Sequence, residues 1–176
     1  MLRGINVGGQ NQIKMAELKA LCESLGLSRV ATYVQSGNLV FESNIAEAAQ
    51  VSDLIESGIN RSLDLSVQVL IREAGRLDQI IAANPFPARP GIDAAKLHVT
   101  FLAASPSVEA FQFLGSTHDH ADEFTPAGSE IYLFCPDGYG RTKFNNTFFE
   151  KKLGVTATTR NWNTVRALNE LAKGKC

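Results

Sequence analysis

Apolar residues recur along this chain at two spacings, every third or fourth position in some stretches and every second in others. Residues 2–7 read as a short opening strand. Met15, Leu18, Leu21, Cys22 and Leu25 then repeat at helical spacing over 14–25, and Gly26 followed by Leu27 supplies a left-handed stop with its hydrophobic contact. Two β-rich runs, 30–35 and 39–41, flank Ser36-Gly37-Asn38 as a hairpin. Asn44 with Glu47 three residues on forms a capping-box pattern, opening a helix with Val51, Leu54, Ile55 and Ile59 on one face. A strand at 67–71 closes this half. A connecting helix at 73–83 ends at Asn84-Pro85.

The same order then recurs. Residues 97–102 read as a strand, and Ser105-Pro106 opens a helix whose inner face carries Val108, Phe111 and Leu114. Residues 123–125 and 131–135 form a second hairpin about Ala127-Gly128. Thr142 is expected to cap a helix bearing Phe144, Phe148, Phe149 and Leu153, stopped by Gly154. A short β segment at 156–159 and a last helix at 162–173 complete the chain. Strand, helix, hairpin, helix, strand is the ferredoxin-like order. The expected fold is therefore α+β: two ferredoxin-like (βαββαβ) subdomains with antiparallel sheets and an extra C-terminal helix. The subdomains are expected at 1–84 and 96–176, with 85–95 as linker, because three prolines fall within 85–91.

Composition fits a globular protein, with 44% hydrophobic and 20% charged residues. Three cysteines without CxxC spacing argue for a reduced, cytoplasmic setting and no disulfide framework. Residues 1–9 carry no apolar signal-peptide region, Leu2 excludes myristoylation, and no run approaches membrane-helix length. The net charge of −1 favours no class of partner. Its distribution says more. Residues 101–140 hold six acidic residues and no lysine or arginine, whereas 141–176 hold eight basic residues against Glu150 and Glu170. Two solvated faces that attract each other account for this, and so does a basic anion-binding face.

Four places carry candidate chemistry. The first is Arg3-Gly4-Ile5-Asn6-Val7-Gly8-Gly9, a glycine-rich turn ahead of a helix that starts near Lys14. Such turns present backbone N–H groups to anions. Gln10-Asn11 stand where a phosphate loop needs lysine and a hydroxyl, so the turn is no P-loop. The second is Arg160-Asn161-Trp162-Asn163-Thr164, a helix start with a cation, amides and an indole able to stack on a planar ligand. Ordinary capping by Thr159 or Asn161, with Trp162 in the core and Arg160 paired to an acidic residue, explains it slightly better, since most tryptophans are largely buried. The third, Arg141-Thr142-Lys143, is another basic helix start. The fourth, His118-Asp119-His120 with Asp122, has metal-ligand types at alternating positions but reads more readily as an acidic surface loop. His98, in a strand, reads as structural. No GxSxG elbow, HExxH or RNA-recognition signature is present.

The strings RGINVGGQNQIKMAEL, YVQSGNLVF, the NPF at 84–86 and KFNNTFFEKKLGVTATTRNWNTVRAL together resemble the bacterial family catalogued as domain of unknown function 1697. The resemblance covers essentially the whole chain. It implies a cytosolic α+β protein with two ferredoxin-like subdomains, and no activity, cofactor or catalytic residue. Family members carry several apolar residues ahead of the first string. Here it begins at Arg3, so either the first strand is short or the start codon is placed too late.

The sequence thus leaves enzyme status and cofactor open. It favours binding of a phosphorylated small molecule, nucleotide or nucleic acid through Arg3, Asn6, Lys14, Lys143, Arg160, Asn161, Trp162 and Asn163. An enzyme acting on a small anionic substrate, and an interaction or homo-oligomerisation module, are the alternatives. No membrane partner is expected.

Overall fold

The computed structural model describes residues 1–9, 11–115 and 121–174, with only the backbone at Gln112, Phe113 and Gly115. In chain order the elements are α1 (Met15–Ser24), β1 (Ser28–Tyr33), β2 (Asn38–Glu42), α2 (Ala48–Leu63), α3 (Ala74–Ala82), β3 (Leu97–Leu102), α4 (Val108–Gly115), β4 (Glu123–Ala127), β5 (Glu130–Phe134), α5 (Asn146–Leu153), β6 (Ala157–Asn161) and α6 (Trp162–Ala172). They form two compact units, one of residues 1–76 with 167–176, the other of residues 77–166.

The second unit is the more regular. Its sheet runs β4-β5-β3-β6 with every neighbouring pair antiparallel. Numbered within the unit, that is the 2-3-1-4 order of a ferredoxin-like sheet, as expected from the recurrent pattern. All six residues of β3 are buried, as a central strand requires. Leu102, Leu114, Ile131, Leu133, Phe144, Phe149 and Leu153 form a core in which Phe124, Phe144, Phe148 and Phe149 meet mainly edge to face.

The proline-rich segment lies inside this unit and is pinned to it. Phe86 is buried. Arg89 makes a two-pronged ion pair with Glu123 at 2.8 and 3.0 Å, while its guanidinium lies 5.5 Å from the Phe86 ring centre and 5.9 Å from that of Phe134. Prolines here shape a fixed strap.

In the first unit the hairpin β1–β2 packs with α1 and α2 around Leu2, Ile5, Leu18, Cys22, Val30, Ile55 and Ile59. Among the described residues, the outer strands of the expected order pair with each other through an isolated antiparallel bridge, Leu2 to Val69, rather than a ladder. The cause is local. Gly4 at φ 69° and Asn6 at φ 54° turn the opening strand off its extended path. On the other side, the Val69 N–H donates to Glu56 Oε1 at 2.7 Å, and the Val69 carbonyl accepts from Ser52 Oγ at 2.8 Å. Two side chains of α2 therefore take the places of a ladder partner.

Several helix starts differ from expectation. α2 begins at Ala48 after Glu47, which makes no side-chain cap, and Ser43 Oγ instead accepts from Ile45 N. Ser107 Oγ accepts from Ala110 N at α4, and Val108, expected inward, is 67% exposed. Asn145, not Thr142, caps α5. Strand β6 runs on to Asn161, so Arg160 belongs to a strand and not to a helix start.

Gly37 gives a direct test of the first unit's packing. A Cβ there would lie 2.7 Å from Ile5 Cδ1 and 2.8 Å from Leu2 Cβ, at φ 72°. Gly37→Ala combines overpacking with a left-handed backbone, and is expected to destabilise the chain by roughly 2–4 kcal/mol in urea denaturation. A loss below about 0.5 kcal/mol, the range of surface substitutions, contradicts the packing described.

Candidate functional site

The glycine-rich turn folds into a loop braced by the side chains of Asn6 and Asn11. Asn6 Nδ2 donates to Ile13 O at 2.9 Å and to Gln35 O at 2.7 Å, and Asn6 Oδ1 accepts from Ile13 N at 2.8 Å. Asn11 Nδ2 donates back to Gly4 O at 3.3 Å, and Asn6 N to Asn11 O at 3.2 Å. Gly4, Asn6, Gly8, Gly9 and Asn11 all have left-handed backbones. The brace leaves Val7, Gly8 and Gly9 exposed at the tip. Arg3 is half-buried, with its backbone N–H on Gln68 O.

Downstream of the brace, α1 starts at Met15 with Lys14 at the N-cap. Lys14 is exposed and makes no side-chain cap, so the first N–H groups of α1 lack the usual side-chain acceptor. Glu17 in the first turn offsets part of the positive end of the helix.

The expected residues of the second unit lie about β6 and α5. Arg160 is 6% exposed, and its Nη1 donates to Thr158 Oγ1 at 2.8 Å and Thr159 O at 2.9 Å. Burial pushes its guanidinium down to about 10, with Tyr139 opposing. Trp162 is 4% exposed, so its ring offers no open face to a stacking ligand. Asn161 caps α6, its Oδ1 accepting from Asn163 N at 2.9 Å, and its Nδ2 donates to Ala95 O at 3.0 Å. Asn163 and Lys143 are exposed. The α5 start is closed by Asn145 Oδ1, which accepts from Phe148 N at 3.0 Å. A polar relay joins the same end of α5 to the sheet: Thr159 Oγ1 donates to Asn146 Oδ1 at 2.7 Å and lies 2.7 Å from Thr100 Oγ1.

Three features went unread in the sequence. Val34 has φ 50°, a left-handed backbone at a β-branched residue, and no residue type announces that. The Gln35 carbonyl that receives Asn6 is a backbone group and carries no sequence signal. His98 stacks on Tyr139 at 4.8 Å, an unforeseen pairing across 41 residues of chain. Burial lowers the His98 pKa, and the Lys96 backbone pulls it partly back, although His98 Nδ1 makes no well-formed hydrogen bond.

Cys22 and Cys135 are buried, and burial pushes each thiol up to about 11, away from reactivity. Residues 118–120 of the His-Asp-His string lie outside the described residues. Among the described residues, no group of three or more His, Cys, Asp or Glu is placed to hold a metal. An open groove in the first unit, lined by Asp53, Ser57, Asn60 and Arg61 of α2 with Val67, includes none of the expected site residues. Among the described residues, no helix is long and apolar enough to cross a membrane.

The fold defines the class: an α+β protein with two antiparallel sheets, one of two strands and one of four strands in ferredoxin-like order. Within that class the chain belongs to the family described as Protein of unknown function (DUF1697), whose profile matches residues 1–132. That span holds the braced loop and the β1–β2 turn, and excludes α5, β6 and α6. The chain is similar in fold to a conserved bacterial protein from Streptococcus pneumoniae, with a TM-score of 0.75 and 22% identity over 98% of this chain and 96% of that one. No curated protein matches it.

His98 yields a pH prediction. Burial disfavours its charged form, so as pH falls below 6.5 the unfolded chain takes up a proton before the folded one does. The stability contributed by His98 is fully present above that pH and is lost as pH falls toward the lowered folded value. Denaturation between pH 7.5 and 5.5 is expected to show a steeper loss in the wild type than in His98→Asn. Parallel curves contradict the burial effect.

Proposed function

We propose that the chain binds a phosphorylated small molecule or nucleotide, with the phosphoryl group at the exposed tip of the braced loop and the start of α1. The observation that carries this reading is a contrast between helix starts. Asn145 and Asn161 close the starts of α5 and α6, whereas α1 and α2 begin without a side-chain cap, α2 after the acidic Glu47 and α1 after an exposed lysine that follows the exposed Gly8-Gly9 tip in the chain. N–H groups without a side-chain cap, the positive helix end and an exposed lysine suit a phosphate. Arg3 and Lys14 would supply charge. The loop backbone, and not the Asn6 amide, would supply hydrogen bonds.

Lys143 and Asn163, exposed on the second unit, stand in this reading as contacts of that unit alone and not of the loop site. Arg160, Asn161 and Trp162 act in it through the structure of their own unit. Buried, unpaired Cys22 and Cys135 support action in the cytoplasm. Turnover of the bound anion remains part of the proposal without a named catalytic group.

A second reading, an interaction or self-association module, draws on β1. The outward groups of Val69 are covered by Ser52 and Glu56, and edge strand β4 contains Pro126. Among the described residues, the backbone of Val30, Ala31 and Thr32 bonds to nothing but β2. An edge left open while others are blunted suits strand addition. Sedimentation equilibrium separates the readings: a monomer at high micromolar concentration removes self-association.

Isothermal titration with pyrophosphate and with nucleoside diphosphates tests the first reading. Lys14→Ala is expected to weaken binding about tenfold, the ~1.5 kcal/mol of one charge-assisted contact. Lys143→Ala is expected to leave pyrophosphate binding unchanged. Equal binding by wild type and Lys14→Ala contradicts the assignment.

A further inference from the structure

A primary amide has two N–H donors, and in Asn6 both are taken, by Ile13 O and Gln35 O. None is left for a ligand. The three bonds of this amide instead join three segments: the exposed loop, the residue just before Lys14, and the turn that links β1 to β2. That turn has little slack. Leu2 N donates to Gly37 O at 2.8 Å, and Gly37 sits so close to Ile5 and Leu2 that a methyl group does not fit. On its upstream side Val34 is held left-handed at φ 50°, a strain of about 1–3 kcal/mol that persists only where neighbouring contacts over-determine it. Val7 and Val34, 66% and 51% exposed, stand one residue from either end of the Asn6 to Gln35 hydrogen bond.

We infer that Asn6 is a positioning residue: it aims the exposed loop at the start of α1 and couples the loop to the β1–β2 turn, so that an anion held on one is felt at the other. The inference rests on the anion site proposed above and adds its mode of communication. Among the described hydrogen bonds, the amide of Asn6 is the side-chain link between the loop and the turn, beside the packing of Leu2 and Ile5 on Gly37. Removing the amide takes away this hydrogen-bonded link without removing the loop backbone that meets the ligand.

The test uses the full-length, 15N-labelled protein, with pyrophosphate as probe and amide shifts as readout. In the wild type, the Gly8 and Gly9 amides are expected to shift, and those of Ser36 and Gly37 to shift with the same saturation curve. Asn6→Gly keeps the left-handed backbone while deleting the amide. In it Gly8 and Gly9 are expected to respond still, with affinity lowered roughly tenfold, while Ser36 and Gly37 fall silent. A merely structural Asn6 gives no ligand-dependent shift at Ser36 and Gly37 even in the wild type, and that result overturns the inference. So does an equal response of those amides in wild type and variant. Silence at Gly8 and Gly9 in the wild type removes the anion site itself. Coupling is then decided without ligand: faster hydrogen exchange at Ser36 and Gly37 in Asn6→Gly supports it, and unchanged exchange overturns it.

Discussion

The loop end of the first unit depends on one side-chain amide. A loop with left-handed residues at Gly4, Asn6, Gly8, Gly9 and Asn11 cannot join a strand ladder, yet the backbone groups it buries still need partners. Asn6 supplies them to Ile13 and Gln35 together. The consequences spread outward. The opening strand shortens to a bridge at Leu2, and on the far side of that bridge Val69 is covered by Ser52 and Glu56 of α2. The approach of Gly37 to Ile5 and Leu2 closes the same end from the turn side. Loop, turn and truncated sheet form one linked arrangement.

The second unit follows the same order of elements and reaches a different balance. Its four strands are complete, and its polar groups are turned to internal work: Asn145 and Asn161 cap helices, Thr100, Thr159 and Asn146 form a relay, and Arg160 lies buried in β6. The concentration of positive charge in residues 141–176 therefore overstates what is available to a partner. Lys143 and Asn163 remain at the surface, while Arg160 is drawn into the fold. This unit is regular throughout its sheet, and the first unit carries the irregular backbone.

Much of this was legible from spacing. Alternating and helical periodicities located nearly every element and the repeated order, because they report directly on which face is buried. The boundaries that shifted did so for reasons periodicity cannot carry. Glu47 rather than Asn44 ends up at the start of α2, and β6 absorbs Arg160 and Asn161 because β3 offers them ladder partners in His98 and Val99. The prolines at 85–91 signalled a linker, since proline content says nothing of Arg89 reaching Glu123. At the candidate site, the glycines and Lys14 were visible as residue types. The reassignment of Asn6 from ligand contact to brace was not, because it depends on the backbones of Ile13 and Gln35 being brought to it from two other places in the chain.

The most direct measurement of the central claim is through-hydrogen-bond scalar coupling from the Asn6 side-chain nitrogen in the uniformly labelled protein. The structure calls for two couplings, to the carbonyl carbons of Ile13 and Gln35, and for Asn6 Nδ2 protons that exchange slowly with water. An Asn6 side chain with rapidly exchanging protons and coupling to neither carbonyl contradicts the brace, and with it the account of the loop.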